Sequence, residues 1–272
     1  MSYHCGSSVH AGKSVCFQSN PPYSPCHSLE GDAAGAAENR AALSKSTTPS
    51  LSLSEDEIAL AVTRGRFEWH IGFVFCDSDR KFKFLHLAGH KKILVDTCPV
   101  SNCALVGKLP FSKQSRRYLR YALQRIASAR PSIPFGPWIA REKGTFSRDG
   151  DYIPPVDQFE GLTCATFVLE VCRGVGFKLL VESDWQVRLF EDTKWKEDIC
   201  NMLADQRASK EHIERVREGF SGLRIRPEDV AATVTLWPNH KRALPFSAVD
   251  AERKAVVDYA EKCCPYVGRS PL

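Results

Sequence analysis

The apolar and polar positions divide the chain into an aperiodic N-terminal segment and a longer periodic remainder. Residues 1–53 are rich in Ser, Gly, Pro and Ala and show almost no periodic apolar pattern. Such a segment cannot bury enough apolar surface to offset the conformational entropy that it loses on ordering. We therefore predict a disordered tail over residues 1–53 and one α+β domain over residues 54–272.

Within the domain, the periodicity predicts both strands and helices. Ser54, with Glu57 three residues later, matches the capping-box pattern and predicts a short helix that continues into Ile58 and Val62. Aromatic and β-branched residues predict an antiparallel meander, with strands over 67–76, 82–87 and 92–95. Helical spacing, with a Thr cap at 163 and a Pro start at 227, predicts five further helices, over 112–130, 163–175, 194–219, from 227 onwards, and 248–264, with a loop over 136–155.

The overall composition excludes several classes of protein. Hydrophobic residues make up 43% and charged residues 25% of the 272 positions, proportions that do not fit a collagen-like, coiled-coil or fully disordered chain. The net charge of +5 is mild and gives no reason to expect nucleic-acid binding. No apolar run approaches the roughly 18 residues of a membrane-spanning helix, so we expect no transmembrane segment.

The cysteine content indicates a reducing compartment. The chain has 11 cysteines, an odd number at irregular spacings, and it is long enough to build a core without disulfides. We expect mostly reduced thiols and a cytoplasmic protein. Polar residues follow Met1, so a classical secretory signal is not expected; non-classical export as an effector stays open.

Two histidines on the predicted meander are the first candidates for chemistry. If the turn between the first two strands consists of Asp77, Ser78 and Asp79, then His70 pairs directly with His86. Directly paired residues share a face of the sheet, with their Cβ atoms roughly 4.5–5.5 Å apart. A turn with an even number of residues would place the two imidazoles on opposite faces.

Cys164 is the third candidate. Thr163 fits the N-cap of the predicted helix 163–175, which places Cys164 in the first helical turn. The positive end of the helix dipole favours a thiolate there, and main-chain N–H groups of the first turn can hold an oxyanion. A nearby imidazole would complete an activated nucleophile. The other interpretation of Cys164 is a small core residue.

The order of these motifs resembles a known family. The chain carries HIGFV at 70–74, FLHL at 84–87 and LTCATFV at 162–168. This order and spacing resemble the circularly permuted NlpC-type, papain-like cysteine hydrolases, including the lecithin:retinol acyltransferase-like branch. The resemblance covers roughly residues 66–180. It implies a papain-like (circularly permuted) antiparallel sheet meander packed against the helix that carries the nucleophile, with additional C-terminal helices.

The resemblance also implies roles for individual residues. Cys164 would be the nucleophile, His70 the general base and then acid, and His86 the residue that orients His70. Gln158 lies six residues before the nucleophile, which is the spacing of the papain oxyanion glutamine. Thr163 stands where the family has Asn. The acyltransferase branch often ends in a membrane anchor, and the polar end of this chain favours amide hydrolysis instead.

The expected function is that of a cysteine peptidase or amidase without a cofactor, which acts on a peptide, isopeptide or peptidoglycan amide through a thioester. Two alternatives stay open: an acyltransferase or thioesterase with the same site, and a catalytically inactive interaction or effector protein. The arginines between Arg116 and Arg130 could bind an acidic partner, although a solvated helix face is the simpler interpretation. Zinc would accept the ligand types of one set of residues, but the histidine spacing along the predicted strand does not favour a structural zinc site; the set is His86, His90, Cys98 and Cys103.

Overall fold

The computed structural model describes residues 53–65, 69–97, 103–137, 144–155, 161–221, 223–240 and 242–264. These residues fall in one compact unit of the chain, residues 32–272. The tail predicted over 1–53 therefore lies, apart from Leu53, outside the described residues. The described part combines an antiparallel sheet with helices, which is the α+β class expected from the sequence.

A five-stranded antiparallel sheet forms the centre of the described structure. Its strands lie in the order β4-β3-β2-β1-β5. The strands in chain order are β1 (Ile58–Arg64), β2 (Trp69–Cys76), β3 (Phe82–Gly89), β4 (Lys92–Thr97) and β5 (Cys103–Lys108). The second, third and fourth confirm the predicted meander, whereas β5 has no counterpart in the sequence-based assignment.

The short helix predicted to start at Ser54 is wrong. Ser54 and Glu57 do form reciprocal local bonds, with Ser54 N–H on the Glu57 carboxylate at 2.7 Å and Glu57 N–H on the Ser54 carbonyl at 3.0 Å. These bonds close a turn, and the chain continues as β1. Because β1 pairs with both β2 and β5, its backbone groups are satisfied by the sheet and its residues 58–62 are buried on both faces.

The two faces of the sheet pack differently. Residues such as Leu60, Ile71 and Phe73 belong to the main core with the helices, and Phe73 contacts Phe167 at a ring-centroid distance of 6.3 Å. Residues of the opposite parity form a smaller buried cluster on the other face, consisting of Ala59, Ala61, Val74, Phe84, Cys103 and Leu105.

The described residues contain six α-helices. They are α1 (Lys113–Ala129), α2 (Cys164–Gly174), α3 (Leu189–Asp205), α4 (Lys210–Gly219), α5 (Pro227–His240) and α6 (Phe246–Cys263). None of them combines the length and the apolar character that crossing a bilayer requires. The helices predicted to begin near residues 112, 163, 227 and 248 are confirmed.

Two predictions about the second half of the chain are wrong. The single helix expected over 194–219 is a helical hairpin of α3 and α4, because Arg207 takes a left-handed φ of 58° and the Ser209 side chain caps α4 by accepting from His212 N–H. The loop expected over 136–155 contains a small antiparallel pair, β6 (Thr145–Phe146) and β7 (Tyr152–Ile153).

Candidate active site

The β2–β3 turn is longer than predicted, and this changes how the two histidines meet. Cys76 pairs with Phe82, so five residues rather than three form the turn. Continuing this register beyond the pair Phe73–Leu85 places His86 opposite Gly72 and not opposite His70. The expected direct pairing is therefore wrong, but the odd length of the turn preserves the shared face, and the two imidazoles meet diagonally.

The imidazoles belong to a hydrogen-bonded chain that crosses three strands. His70 Nε2 and His86 Nδ1 are 2.5 Å apart, and His86 Nε2 lies 3.0 Å from Oδ2 of Asp96. Asp96 lies on β4, where it pairs with Phe84. The ring of Phe84 stacks on that of His86 at a centroid distance of 4.5 Å, which fixes the plane of the central imidazole.

The chain of bonds determines which nitrogen carries each proton. The Asp96 carboxylate can only accept, so His86 Nε2 donates to it. A neutral His86 then accepts at Nδ1, and His70 Nε2 must be the donor of the 2.5 Å bond. This tautomer leaves Nδ1 of His70 with its lone pair, so Nδ1 is the basic atom of the chain.

Burial keeps both imidazoles neutral. Desolvation, followed by the neighbouring His86, lowers the pKa of His70 from 6.5 to about 3. Desolvation also lowers the pKa of His86, although the hydrogen bond and charge of Asp96 act in the opposite direction. At neutral pH, His70 is therefore an unprotonated base and not half of a standing imidazolium ion pair.

Gly72 leaves the space that His86 occupies. A Cβ atom on Gly72 would lie 2.7 Å from the Cβ of His86 and 2.6 Å from the carbonyl oxygen of Leu85. Both neighbours belong to β3 and have little freedom to move. A residue without a side chain is thus required between the two strands where the histidines meet.

Cys164 begins α2, as the sequence predicted. Its predecessor Thr163 is the N-cap, with the side chain accepting from Thr166 N–H at 3.1 Å and Thr166 Oγ1 accepting from Thr163 N–H at 2.7 Å. This reciprocal cap fixes the first turn of the helix around Cys164. The cysteine itself is 8% exposed.

A cavity of about 310 Å³ connects Cys164 with the histidine chain. Cys164, His70 and His86 all line it. Its remaining wall is largely apolar and aromatic, with Trp69, Leu87, Phe135, Trp195, Ile199, Met202 and Ile225 among the lining residues. The cavity is thus bounded by the end of the sheet, the start of α2 and one face of α3.

The sheet separates the imidazoles from the helix except at this cavity. His70 has the parity of Val74, which lies in the smaller cluster, whereas α2 packs through Phe167 on the face of Phe73. The pairing of β2 with β3 extends only from Cys76 to Phe73, short of His70. Cys164 and His70 therefore share the cavity as lining residues at the end of the sheet and do not face each other across one of its faces.

The structure describes only some of the other residues that the sequence pattern singles out. Gln158 and Cys98 lie outside the described residues. His86 is hydrogen-bonded to His70 and Asp96, and His90 is hydrogen-bonded to the main chain of Phe135. The two histidines therefore do not form a zinc-ligand set with each other. Within the described ranges, no group of three or more His, Cys, Asp or Glu side chains is arranged to hold a metal ion.

The arginines of α1 are partly engaged within the chain. Arg116 donates to the carbonyl of Phe111, Arg120 lies 3.5 Å from Asp56, and Arg125 donates to Tyr121 in the preceding turn. Arg117 is exposed. An acidic partner for this helix stays a prediction.

Sequence reasoning missed Asp96. The available signal was the even separation in sequence of His86 and Asp96. In a hairpin whose paired residue numbers have an even sum, residues of the same parity on the two strands share a face of the sheet. The apolar wall from α3 could not be inferred, since it depends on how the α3–α4 hairpin folds back.

No protein-family model, no curated protein and no solved structure matches this chain.

Proposed function

We propose that the chain is a cysteine hydrolase that cleaves an amide or peptide bond through a thioester intermediate. The observation that supports this proposal is that one cavity is lined both by a cysteine at a capped helix N-terminus and by the two histidines of a His–His–Asp chain. A nucleophile, a base and a group that orients the base are the minimum set for such chemistry.

The first step would transfer the proton of the Cys164 thiol to Nδ1 of His70 as the sulfur attacks the substrate carbonyl. His70 would then carry protons on both nitrogens, and its Nε2–H would remain bonded to His86 Nδ1. Because His86 is backed by the Asp96 carboxylate, part of the new positive charge is stabilised along the chain.

The negative oxygen of the tetrahedral intermediate needs donors near the sulfur. The cap engages the N–H groups of Thr163 and Thr166. The N–H groups between them, on Cys164 and Ala165, belong to the first turn, where the helix dipole and the main chain favour an anion. His70 would then return its proton to the leaving amine, and water would hydrolyse the thioester.

The lowered pKa of His70 favours a general-base mechanism over a resting ion pair. An imidazole with a pKa of about 3 does not hold a thiolate–imidazolium pair in the resting site. Proton transfer would therefore accompany the attack. This distinguishes the proposal from the standing ion pair of low-pKa catalytic cysteines.

The apolar wall supports an acyltransferase or thioesterase as the second candidate. Trp69, Leu87 and Trp195 offer an apolar surface to an acyl group. The chemistry up to the thioester is the same for both candidates, and only the donor and the final acceptor differ. Incubation with peptide amides, acyl thioesters and acyl lipids, followed by mass spectrometry of the Cys164 peptide, separates the two by the donor that loads the sulfur.

The primary test is selective modification of Cys164. The full chain is treated at pH 7 with limiting iodoacetamide or a peptide vinyl sulfone, and each cysteine is quantified by peptide mass spectrometry. We expect Cys164 to react at least 10-fold faster than Cys172, which lies two turns along the same helix and whose thiol pKa is raised by burial. His70→Asn should remove most of this preference.

The matched controls are Cys172→Ser and Cys164→Ser. The first should leave the labelling and turnover of substrate intact, whereas the second should abolish both. Equal labelling of Cys164 and Cys172, or turnover that survives Cys164→Ser, would refute the hydrolase and leave the interaction protein as the better explanation.

A further inference from the structure

A second histidine pair lies next to the cavity. His90 follows β3, and His212 lies on α4; their ring centroids are 4.7 Å apart. Both imidazoles are hydrogen-bonded to the main chain of Phe135, and Phe135 lines the cavity. The pair belongs to neither the His70–His86–Asp96 chain nor the nucleophile helix.

The two bonds to Phe135 fix the protonation of the pair. Phe135 N–H donates to Nδ1 of His90 at 3.3 Å, and a backbone N–H can only donate, so this nitrogen carries a lone pair. The Phe135 carbonyl can only accept, so Nε2 of His212, at 2.9 Å, carries a proton. The first bond requires an unprotonated Nδ1 on His90, whereas the second tolerates either charge state of His212.

Residues 133–136, called the strap below, connect this pair to the nucleophile. On the strap's other side, Leu162 N–H donates to the Pro134 carbonyl at 2.9 Å and Gly136 N–H donates to the Leu162 carbonyl at 3.2 Å. Leu162 lies two residues before Cys164. The strap is therefore bonded on one side to the histidine pair and to Lys91 N–H, which donates to the Ile133 carbonyl at 2.8 Å, and on the other side to the segment that leads into α2.

The surroundings of His90 favour its neutral form. His212 faces it from α4, Lys91 adjoins it in the turn, and the uncharged side chain of Gln206, at the end of α3, accepts from its main-chain N–H at 2.7 Å. Burial, and then His212 and Lys91, lower the pKa of His90 to about 4. The bond from Phe135 N–H to His90 is consequently intact at neutral pH.

We propose that His90 and His212 are positioning residues, which hold Phe135 in the cavity wall and, through the strap, fix the approach to Cys164. Only the catalytic consequence rests on the proposed function; the clamp itself does not. A proton on Nδ1 of His90 replaces an acceptor with a donor opposite Phe135 N–H, so the bond is lost. On that side the strap then keeps the bond from Phe135 to His212 and the bond from Lys91 N–H to the Ile133 carbonyl at 2.8 Å, but Phe135 N–H has lost its acceptor.

The first test is amide hydrogen exchange of Phe135, followed by NMR between pH 7 and pH 3.5 and corrected for intrinsic rates. In the unmodified chain, we expect protection at pH 7 and at least 10-fold faster exchange below a midpoint near 4. His90→Gln supplies an uncharged acceptor and should remain protected throughout. His90→Leu has no acceptor and should exchange at least 10-fold faster already at pH 7.

The amide of Leu60, in the central strand β1, serves as the internal control, because its exchange reports global unfolding. A loss of protection at Phe135 that Leu60 shares is not local to the strap and contradicts the proposal. Equal protection of Phe135 in the unmodified chain, His90→Gln and His90→Leu would also overturn it.

The second test measures the consequence for Cys164. At pH 7, the rate of vinyl sulfone labelling should fall at least 10-fold in His90→Leu and stay within about 3-fold in His90→Gln. Glu211→Gln, an exposed change on α4 beside His212, should leave the rate unchanged. If exchange at Phe135 changes and labelling does not, the positioning role is refuted. If Cys164 of the unmodified chain never labels selectively, the proposed function fails, while the exchange data still decide on the clamp.

Discussion

Replacing Gly72 with alanine tests whether the sheet holds the histidines as described. The added Cβ would lie 2.7 Å from the Cβ of His86 and 2.6 Å from the Leu85 carbonyl oxygen, and neither atom is the end of a flexible side chain. Overpacking of this kind typically costs about 1–3 kcal/mol. Because the contact is with His86 itself, we also expect the 2.5 Å bond to His70 to be broken.

The assay for Gly72→Ala combines urea denaturation with labelling of Cys164. We expect the free energy of unfolding to fall by about 1–3 kcal/mol and the labelling rate, measured well below the unfolding transition, to fall at least 10-fold. Gly174→Ala is the matched control. It adds the same methyl group at the end of α2, where nothing lies within 4 Å, and alanine is favoured over glycine in a helix by roughly 0.5–1 kcal/mol.

The two alanine variants should therefore move stability in opposite directions. The close approach of β2 and β3 at Gly72 is refuted if Gly72→Ala unfolds within about 0.5 kcal/mol of the unmodified chain, the ordinary range for a surface substitution, and labels Cys164 at the same rate. The roles of His70 and His86 would then need to be revised together.

Three further predictions concern the same site. Asp96→Asn removes the negative charge that accepts the hydrogen bond from His86. Turnover, or the labelling rate of Cys164, should fall about 10–100-fold while the urea midpoint changes little. An unchanged rate would exclude Asp96 from the hydrogen-bonded chain. The second prediction concerns the pH dependence of stability. The pKa of His70 is about 3 in the folded chain, whereas the imidazole of the unfolded chain takes up its proton near pH 6.5. Between these pH values, the unfolded state therefore binds more protons than the folded state. Stability should consequently decline as the pH falls from 6.5 towards 3, by an amount on the order of a few kcal/mol, and denaturation of His70→Asn across this window should show a flatter decline; an equally steep one would contradict the assignment. Thr163→Ala removes the cap on Thr166 N–H and should lower the free energy of unfolding, measured in urea, by about 1–2 kcal/mol. The rate of Cys164 labelling should show a larger proportional loss. A loss confined to stability would mean that the cap does not orient the cysteine.

Several features of the site follow from local sequence alone. The cap at Thr163 and the position of Cys164 at the start of a helix depend on residues within one turn of each other, and they were predicted correctly. The shared face of His70 and His86 depends only on the parity of the turn. The predicted pairing was nevertheless two positions off, because the sequence of the β2–β3 turn does not determine whether three or five residues close it.

Other features depend on contacts between distant segments. Ser54 and Glu57 carry a helix signal, yet the following residues form β1, since pairing with β2 and β5 buries both of its faces. The helix expected over 194–219 is interrupted near Arg207, where the hairpin turns. Packing of Trp195 and Leu203 of α3 with Val216 of α4 in one buried cluster stabilises that turn.

The sequence by itself therefore determined two local features of the candidate site: a capped helix that begins with a cysteine, and two imidazoles on one face of adjacent strands. These depend on short-range periodicity and on hydrogen bonds within a few residues. Only the tertiary structure decided that Asp96 completes the chain, that α3 supplies the apolar wall, and that Cys164 and His70 line one cavity at the end of the sheet. Each of these relations joins segments far apart in sequence, and burial and strand register fix them only once the whole sheet and its helices have packed.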